Sequence, residues 1–296
     1  MAALSCPVPV GRLSLAVLLA AAMLCVAMPL QVSLAAVAVL AGPHNWLEAR
    51  YLMTKMPPRW GRLQPFYLVA IAGTLALTVG HIVVRASPLV VWWNVAFAGW
   101  LTALAVLRSC QNLRLPWLDW VVPAGLLLAA FGLLTPYAFG VALLLAHPLM
   151  ALYFFHRSLP PTQRRAIEPV LRLVPIACVG VALFAPIDQA ASHLTLPPDQ
   201  LLGVHAFLEL LHYAAWIIGI PLASRAWSVR RVDDIPLRRR ATYWPRVLRG
   251  VLVVGLAAIV VLWIGFAVDP VLTREVYFTL AIVHVLAELP FALRAA

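Results

Sequence analysis

Three stretches of the chain repeat one chemical pattern. AVLAGPHNWLEARYLM places His44 and Glu48 four residues apart, GVHAFLELLHYAAW holds His205, Glu209 and His212, and LAIVHVLAELPFAL holds His284 and Glu288. A spacing of four sets two side chains on one helix face, one turn apart. LLLAHPLMALYFFH adds His147, with His156 at its far end. Imidazole is a ligand for iron, copper, zinc and nickel, and carboxylate shifts the preference toward iron or manganese. Glu48 and Glu288 follow their histidines by one turn. They are candidates for direct ligation or for accepting the N–H of a ligating imidazole. Glu209 precedes His212 as ExxH, the spacing of carboxylate-bridged di-iron bundles. One iron held mainly by histidines and two irons bridged by glutamates are both open readings of these parts.

The elements that must position these residues are membrane helices. The chain has 296 residues, 64% hydrophobic and 11% charged, with a mean hydropathy of +0.93. A soluble domain carries about 25% charge, and disorder requires low hydrophobicity, so both classes are excluded. Ten runs have the ~20 residues that cross a ~30 Å hydrocarbon core: 12–29, 31–55, 66–85, 88–108, 117–134, 136–156, 169–187, 201–224, 247–268 and 275–294. Pro29, Pro88 and Pro136 punctuate their boundaries. Arg12 ahead of an apolar run has the look of a signal peptide, but the run continues past a 7–15 residue apolar region. The expected architecture is all-α, a single polytopic integral-membrane domain over residues 1–296.

With both termini in the cytoplasm, 20 of the 22 basic residues fall on the inner side and only Arg85 and Arg274 outside. That is the positive-inside pattern. The net charge of +11 therefore belongs to membrane anchoring, and nucleic acid, which needs a basic face on a soluble module, is excluded as a partner. The longest loop, 225–246, carries Arg238, Arg239 and Arg240 beside Asp233 and Asp234. It reads as a basic cytoplasmic loop, with anionic membrane lipids as its other possible contact. Lys55 is the only lysine. An arginine-heavy, lysine-poor chain suggests a GC-rich bacterial genome and hence a bacterial inner membrane. Cys6, Cys25, Cys110 and Cys178 form no CxxC and read as small core residues. Tryptophans near segment ends, Trp92, Trp93, Trp120 and Trp263 among them, read as an interfacial belt. Trp46, Trp100 and Trp216 lie deeper and read as packing.

Depth links the histidines. His44 lies eleven residues before Lys55, His147 ten before Arg157, His212 thirteen before Arg225 and His284 ten before Arg294. At 1.5 Å per residue each sits about 15–20 Å from its inner anchor, close to the midplane. All four are on segments running outside to inside. Four imidazoles at one level form a set able to close on one metal, and ionisable groups at that depth are costly enough to mark function. His205 and His81 are weaker candidates, His193 reads as a solvated loop residue, and His156 reads as an interfacial anchor.

AGPHNWLEA around His44 resembles the first proline-histidine-x-x-x-acid motif of the bacterial Brp/Blh family of membrane-embedded β-carotene dioxygenases. IVHVLAE around His284 is similar to that family's last motif, and HAFLELLHY resembles its paired histidines, which are more widely spaced here. The resemblance covers three short patches. It implies a non-haem iron held by histidines, with O2 cleaving or oxidising an apolar chain. The residues taken alone reach the same class, a membrane metalloenzyme, with iron as the expected cofactor, O2 as co-substrate and a lipophilic isoprenoid, carotenoid or acyl chain as substrate. Two other readings stand beside it. A haem-binding electron carrier would use histidines from facing helices as axial ligands, and a metal or proton transporter would use the polar groups as a relay.

Overall fold

The computed structural model describes residues 10–85, 87–110, 118–184, 199–223 and 235–295. Every regular element among them is helical: α1 (Val10–Ala27), α2 (Pro29–Lys55), α3 (Gln64–Val84), α4 (Val90–Cys110), α5 (Leu118–Leu134), α6 (Pro136–Ser158), α7 (Pro161–Phe184), α8 (Asp199–Ala214), α9 (Ile220–Ala223), α10 (Trp244–Val268) and α11 (Pro270–Ala295), with short 3-10 turns at Gly61–Leu63 and Pro236–Arg240. A π-helical turn over Ala215–Gly219 joins α8 to α9. All ten segments expected from the sequence are therefore helices. Seven are long and apolar enough to cross a membrane: α3, α4, α6, α7, α8 with its continuation to Ala223, α10 and α11. Helices α1 and α5 are apolar but shorter. Helix α2 is not among the seven, because Pro43, His44, Asn45 and Glu48 dilute its apolar run. Cys6, His193 and positions 225–234 of the basic loop lie outside the described residues.

Local chemistry explains where the helices begin. Proline opens α2, α6, α7 and α11, where a missing N–H costs nothing and the fixed φ suits the first turn. Asp269 caps α11, its Oδ1 accepting from the Leu272 backbone N–H at 2.9 Å. Interior prolines at 43, 123, 148, 169, 175 and 290 each delete one ladder hydrogen bond.

The chain divides into two compact units, residues 1–44 with 144–227 and residues 45–143 with 228–296, the division passing through α2 and α6. In the first unit α1 packs on α7 and α8, and α7 packs on α8. Leu18, Ala21, Cys25, Val174, Val181, Leu202 and Phe207 are buried there. Arg164 donates from Nε to the Leu159 carbonyl at 2.8 Å and from Nη2 to that of Arg157 at 2.9 Å, closing the end of α6.

In the second unit α4 packs on α3, α5 and α11, and α11 packs also on α3 and α10. Two indoles hold α4 to α3: Trp93 donates to the Leu77 carbonyl at 2.8 Å and Trp100 to that of Val69 at 2.9 Å. Trp100 fits because Gly73 faces it without a side chain. Asn94 donates to the Gly132 carbonyl of α5 at 3.0 Å, and Trp46 donates to the Leu252 carbonyl of α10 at 2.9 Å. At the far end Arg294 donates to the Lys55 carbonyl and the Tyr67 hydroxyl, tying α11 to α2 and α3. Trp93 is thus a core residue and not part of an interfacial belt, because its N–H has a carbonyl to reach inside the helix pair. Trp92 and Trp120 are exposed, as a belt requires. Arg50 of α2 is buried at 1% exposure and is no surface anchor.

Candidate metal centre

In the first unit α2, α6 and α8 each bring one imidazole into a chain of ring contacts. His44 stands on α2 immediately after Pro43, His147 on α6 immediately before Pro148, and His212 on α8 three residues before the π-helical turn. The His44 and His212 ring centroids are 5.0 Å apart at 76°, and those of His147 and His212 are 4.5 Å apart at 52°. His212 is therefore the middle member. A ring nitrogen of His44 lies within 4.8 Å of one of His212, and so does a ring nitrogen of His147. His44 and His212 are 1% and 2% exposed, and His147 is half-buried.

The His44 tautomer is set locally. Its Nδ1 is 3.2 Å from the Leu40 carbonyl, one turn back on α2. A carbonyl only accepts, so Nδ1 carries the proton in that bond and Nε2 presents its lone pair to the group. Two nitrogens about 2.1 Å from one ion are at most about 4.2 Å apart, so small side-chain rotations bring neighbouring pairs of these rings into coordination range.

His205 and Glu209 occupy the preceding turns of α8. His205 Nδ1 is 4.0 Å from Glu209 Oε2, and Glu209 Oε1 accepts a 2.7 Å hydrogen bond from the Tyr213 hydroxyl. The Tyr213 ring lies 4.4 Å from that of His44 and 5.7 Å from that of His212. Cys25 of α1 is within electrostatic range of Glu209. Trp216, in the π-helical turn, is fully buried with its ring 5.8 Å from Phe154.

The second unit gathers its own acid–imidazole group. Glu48 and Glu288 are 1% and 0% exposed and near enough for each to act on the other's charge. Glu48 and the half-buried His284 offer ligand atoms within 4.8 Å of one another. Asn45 donates to the Tyr277 hydroxyl at 3.4 Å, beside this group in sequence. Glu48 Oε2 has no hydrogen-bond partner among the described residues. Two buried carboxylates at short range favour a shared proton or a cation.

The remaining histidines stand apart. His81 packs on Trp93 at 5.1 Å. His156 Nε2 is 3.9 Å from Glu168 Oε1 at the end of α6, the anchoring place its sequence position suggests. Sequence reasoning missed Tyr213, although the signal was present: 205, 209 and 213 recur every four residues, the same rule that found the histidine–acid pairs. No known protein family matches the chain, and neither a characterised protein nor a solved structure matches it.

Proposed function

We propose that the chain is a membrane-embedded metalloenzyme, a non-haem iron oxygenase acting on a lipophilic substrate in a bacterial inner membrane, with ten spans and both termini cytoplasmic. The observation that carries this reading is His212 in ring contact with both His44 and His147, imidazoles from three separate helices. A single histidine in an apolar helix is accommodated by hydrogen bonding. Three imidazoles linked through His212 gather three strong donors in one neighbourhood, which is a poor solution for packing and a good one for a cation. Imidazole donors suit iron, and a set that leaves coordination positions open suits oxygen chemistry. Bound iron would supply activation of O2.

The chain's own residues supply the rest. His44, His147 and His212 hold the ion, and the Leu40 carbonyl keeps His44 in the tautomer that ligates through Nε2. Glu48 and Glu288 gather in the second unit, where two buried carboxylates form an acidic group that favours a shared proton or a cation of its own. O2 and isoprenoid or acyl chains both dissolve in the bilayer, so a centre at mid-depth is reached from the lipid. The similarity of the His44, His205–His212 and His284 patches to the Brp/Blh dioxygenases supports the same reaction class.

Elemental analysis and an optical spectrum of one detergent-purified sample test this reading. Iron in stoichiometric amount with no Soret band is the expected result, and a Soret band would identify a haem carrier instead. His147→Ala should strip most of the metal, while His193→Ala should leave it unchanged. Wild-type protein that takes up no metal on reconstitution, or His147→Ala protein that keeps it all, refutes the proposal.

A further inference from the structure

Glu209 is a glutamate of the candidate set whose carboxylate is engaged by a side chain of its own helix. Oε1 accepts from the Tyr213 hydroxyl at 2.7 Å, and Oε2 faces His205 Nδ1 at 4.0 Å. One face of α8 thus carries an imidazole, a carboxylate and a phenol on successive turns, all three buried. A hydrogen bond to an ionised carboxylate is roughly twice as strong as a neutral one. Held this way, the phenol is restrained.

The consequence lies at the ring. Tyr213 sits 4.4 Å from His44 at 44° and 5.7 Å from His212 at 72°. These are the first and middle members of the histidine group. His44 is anchored along one axis by its Nδ1 bond to the Leu40 carbonyl. The phenol ring packs against the imidazole and limits its rotation about that axis.

We propose that Glu209 serves the histidine group through Tyr213. The carboxylate pins the phenol, and the pinned ring sets the orientation of His44 and His212. Tyr213 and Glu209 are then positioning residues and not ligands, and His205 steadies the far side of the carboxylate. The proposal rests on the metal reading of the three histidines. It departs from the role that ExxH spacing suggests for Glu209, that of a ligand.

Cobalt(II) is the probe, loaded into the full-length, detergent-purified chain, because its visible bands report ligand geometry. Tyr213→Phe keeps the ring and deletes the hydroxyl, and Glu209→Gln keeps the shape and deletes the charge. Both variants should bind cobalt in the wild-type ratio, since neither loses a ligand. Affinity should fall roughly 10–100-fold in each, the range found when the partners of ligands are removed, and the cobalt bands should move. The double variant should be no weaker than the weaker single, because both act through one bond. Nitrogen-15 spectra of histidine-labelled, metal-free protein should show His44 and His212 displaced in Tyr213→Phe. Cobalt binding abolished by Glu209→Gln but untouched by Tyr213→Phe makes Glu209 a ligand and overturns the proposal. Wild-type affinity, bands and histidine resonances in both single variants overturn it as well. Wild-type protein that binds no cobalt instead refutes the metal reading, and the metal-free resonances still decide whether Tyr213 orients the imidazoles.

Discussion

Gly73→Ala tests whether the helix pair α3–α4 is built as tightly as its geometry implies. A Cβ at Gly73 would fall 2.0 Å from Nε1 of Trp100, 2.1 Å from Cδ1 and 2.8 Å from Cε2. All three are far inside contact distance, so the indole must move. It cannot move and keep its 2.9 Å bond to the Val69 carbonyl. Trp100 is buried in one cluster with Phe97, Phe139, Ile282, Val285 and Leu286, so the shift is resisted on every side. Overpacking of this kind costs about 1–3 kcal/mol, and a lost hydrogen bond adds about 1 kcal/mol. Alanine returns about 1 kcal/mol of helix propensity over glycine. The clash belongs near the top of its range, so the net loss is about 2–3 kcal/mol, a factor of roughly thirty or more in the ratio of folded to unfolded protein. Equilibrium unfolding in mixed detergent, followed by tryptophan fluorescence, measures it. Gly99→Ala on α4 is the matched control, since nothing lies within 4 Å of its added Cβ. That variant should be neutral or slightly stabilised. Replacing Trp100 by leucine first should remove most of the Gly73→Ala penalty, as coupling between touching residues requires. Equal stability of Gly73→Ala and Gly99→Ala would refute the reasoning. The site has a stake in the outcome, because Val285 and Leu286 of this cluster lie between His284 and Glu288 on α11.

Two further predictions address topology and charge. Reporter fusions after residues 62, 165 and 235 should report cytoplasm, and one in the 188–200 stretch should report the opposite side; a fusion at 235 found outside would break the ten-span arrangement and the depth argument with it. Glu48→Gln and Glu288→Gln should fold with equal or slightly higher thermal stability, since a buried amide costs less than a buried carboxylate, yet lose oxygen-dependent turnover of a lipophilic substrate; variants that match the wild type in metal content and turnover would leave these carboxylates a structural role only.

The helices were legible in the sequence because a bilayer-length apolar run has few alternatives, and proline at a first turn marks where such a run begins. The histidine–acid pairs were legible for a related reason. Charge and imidazole are so expensive in such runs that each occurrence stands out, and the residue count to a basic residue at the segment's end sets the depth expected of it. In the first unit His212 is in ring contact with both His44 and His147. Features that depend on a partner helix were not legible in this way. Trp93 lies near the start of α4, where an interfacial belt is the ordinary reading, and only the Leu77 carbonyl across the helix pair makes it a core residue. Arg50 reads as an anchor in a run of basic residues, yet the packing of α2 buries it. Tyr213 escaped because tyrosine is unremarked in an apolar helix until its hydroxyl is seen to meet Glu209. The division of α2 and α6 between two units is a property of long-range contacts and leaves no local mark.

The backbone around the three histidines carries one more regularity. Pro43 adjoins His44, Pro148 adjoins His147, and the π-helical turn begins at Ala215, three residues after His212. Each interrupts the i to i−4 ladder within a turn of the side chain concerned. A proline inside a helix costs about 3 kcal/mol relative to alanine, and an interrupted ladder leaves a carbonyl seeking another donor. Irregularity by itself does not identify a site, since α7 holds Pro169 and Pro175 and contributes no histidine to the group. What distinguishes α2, α6 and α8 is that the defect coincides with an imidazole of the group on each of three helices. A straight helix presents a side chain at an angle fixed by its register, and three such angles seldom converge. A local bend or an inserted residue supplies the missing rotation. The chain bears both costs, the polar group and the broken ladder, at the same three places, and the convergence of the rings is what those costs have in common.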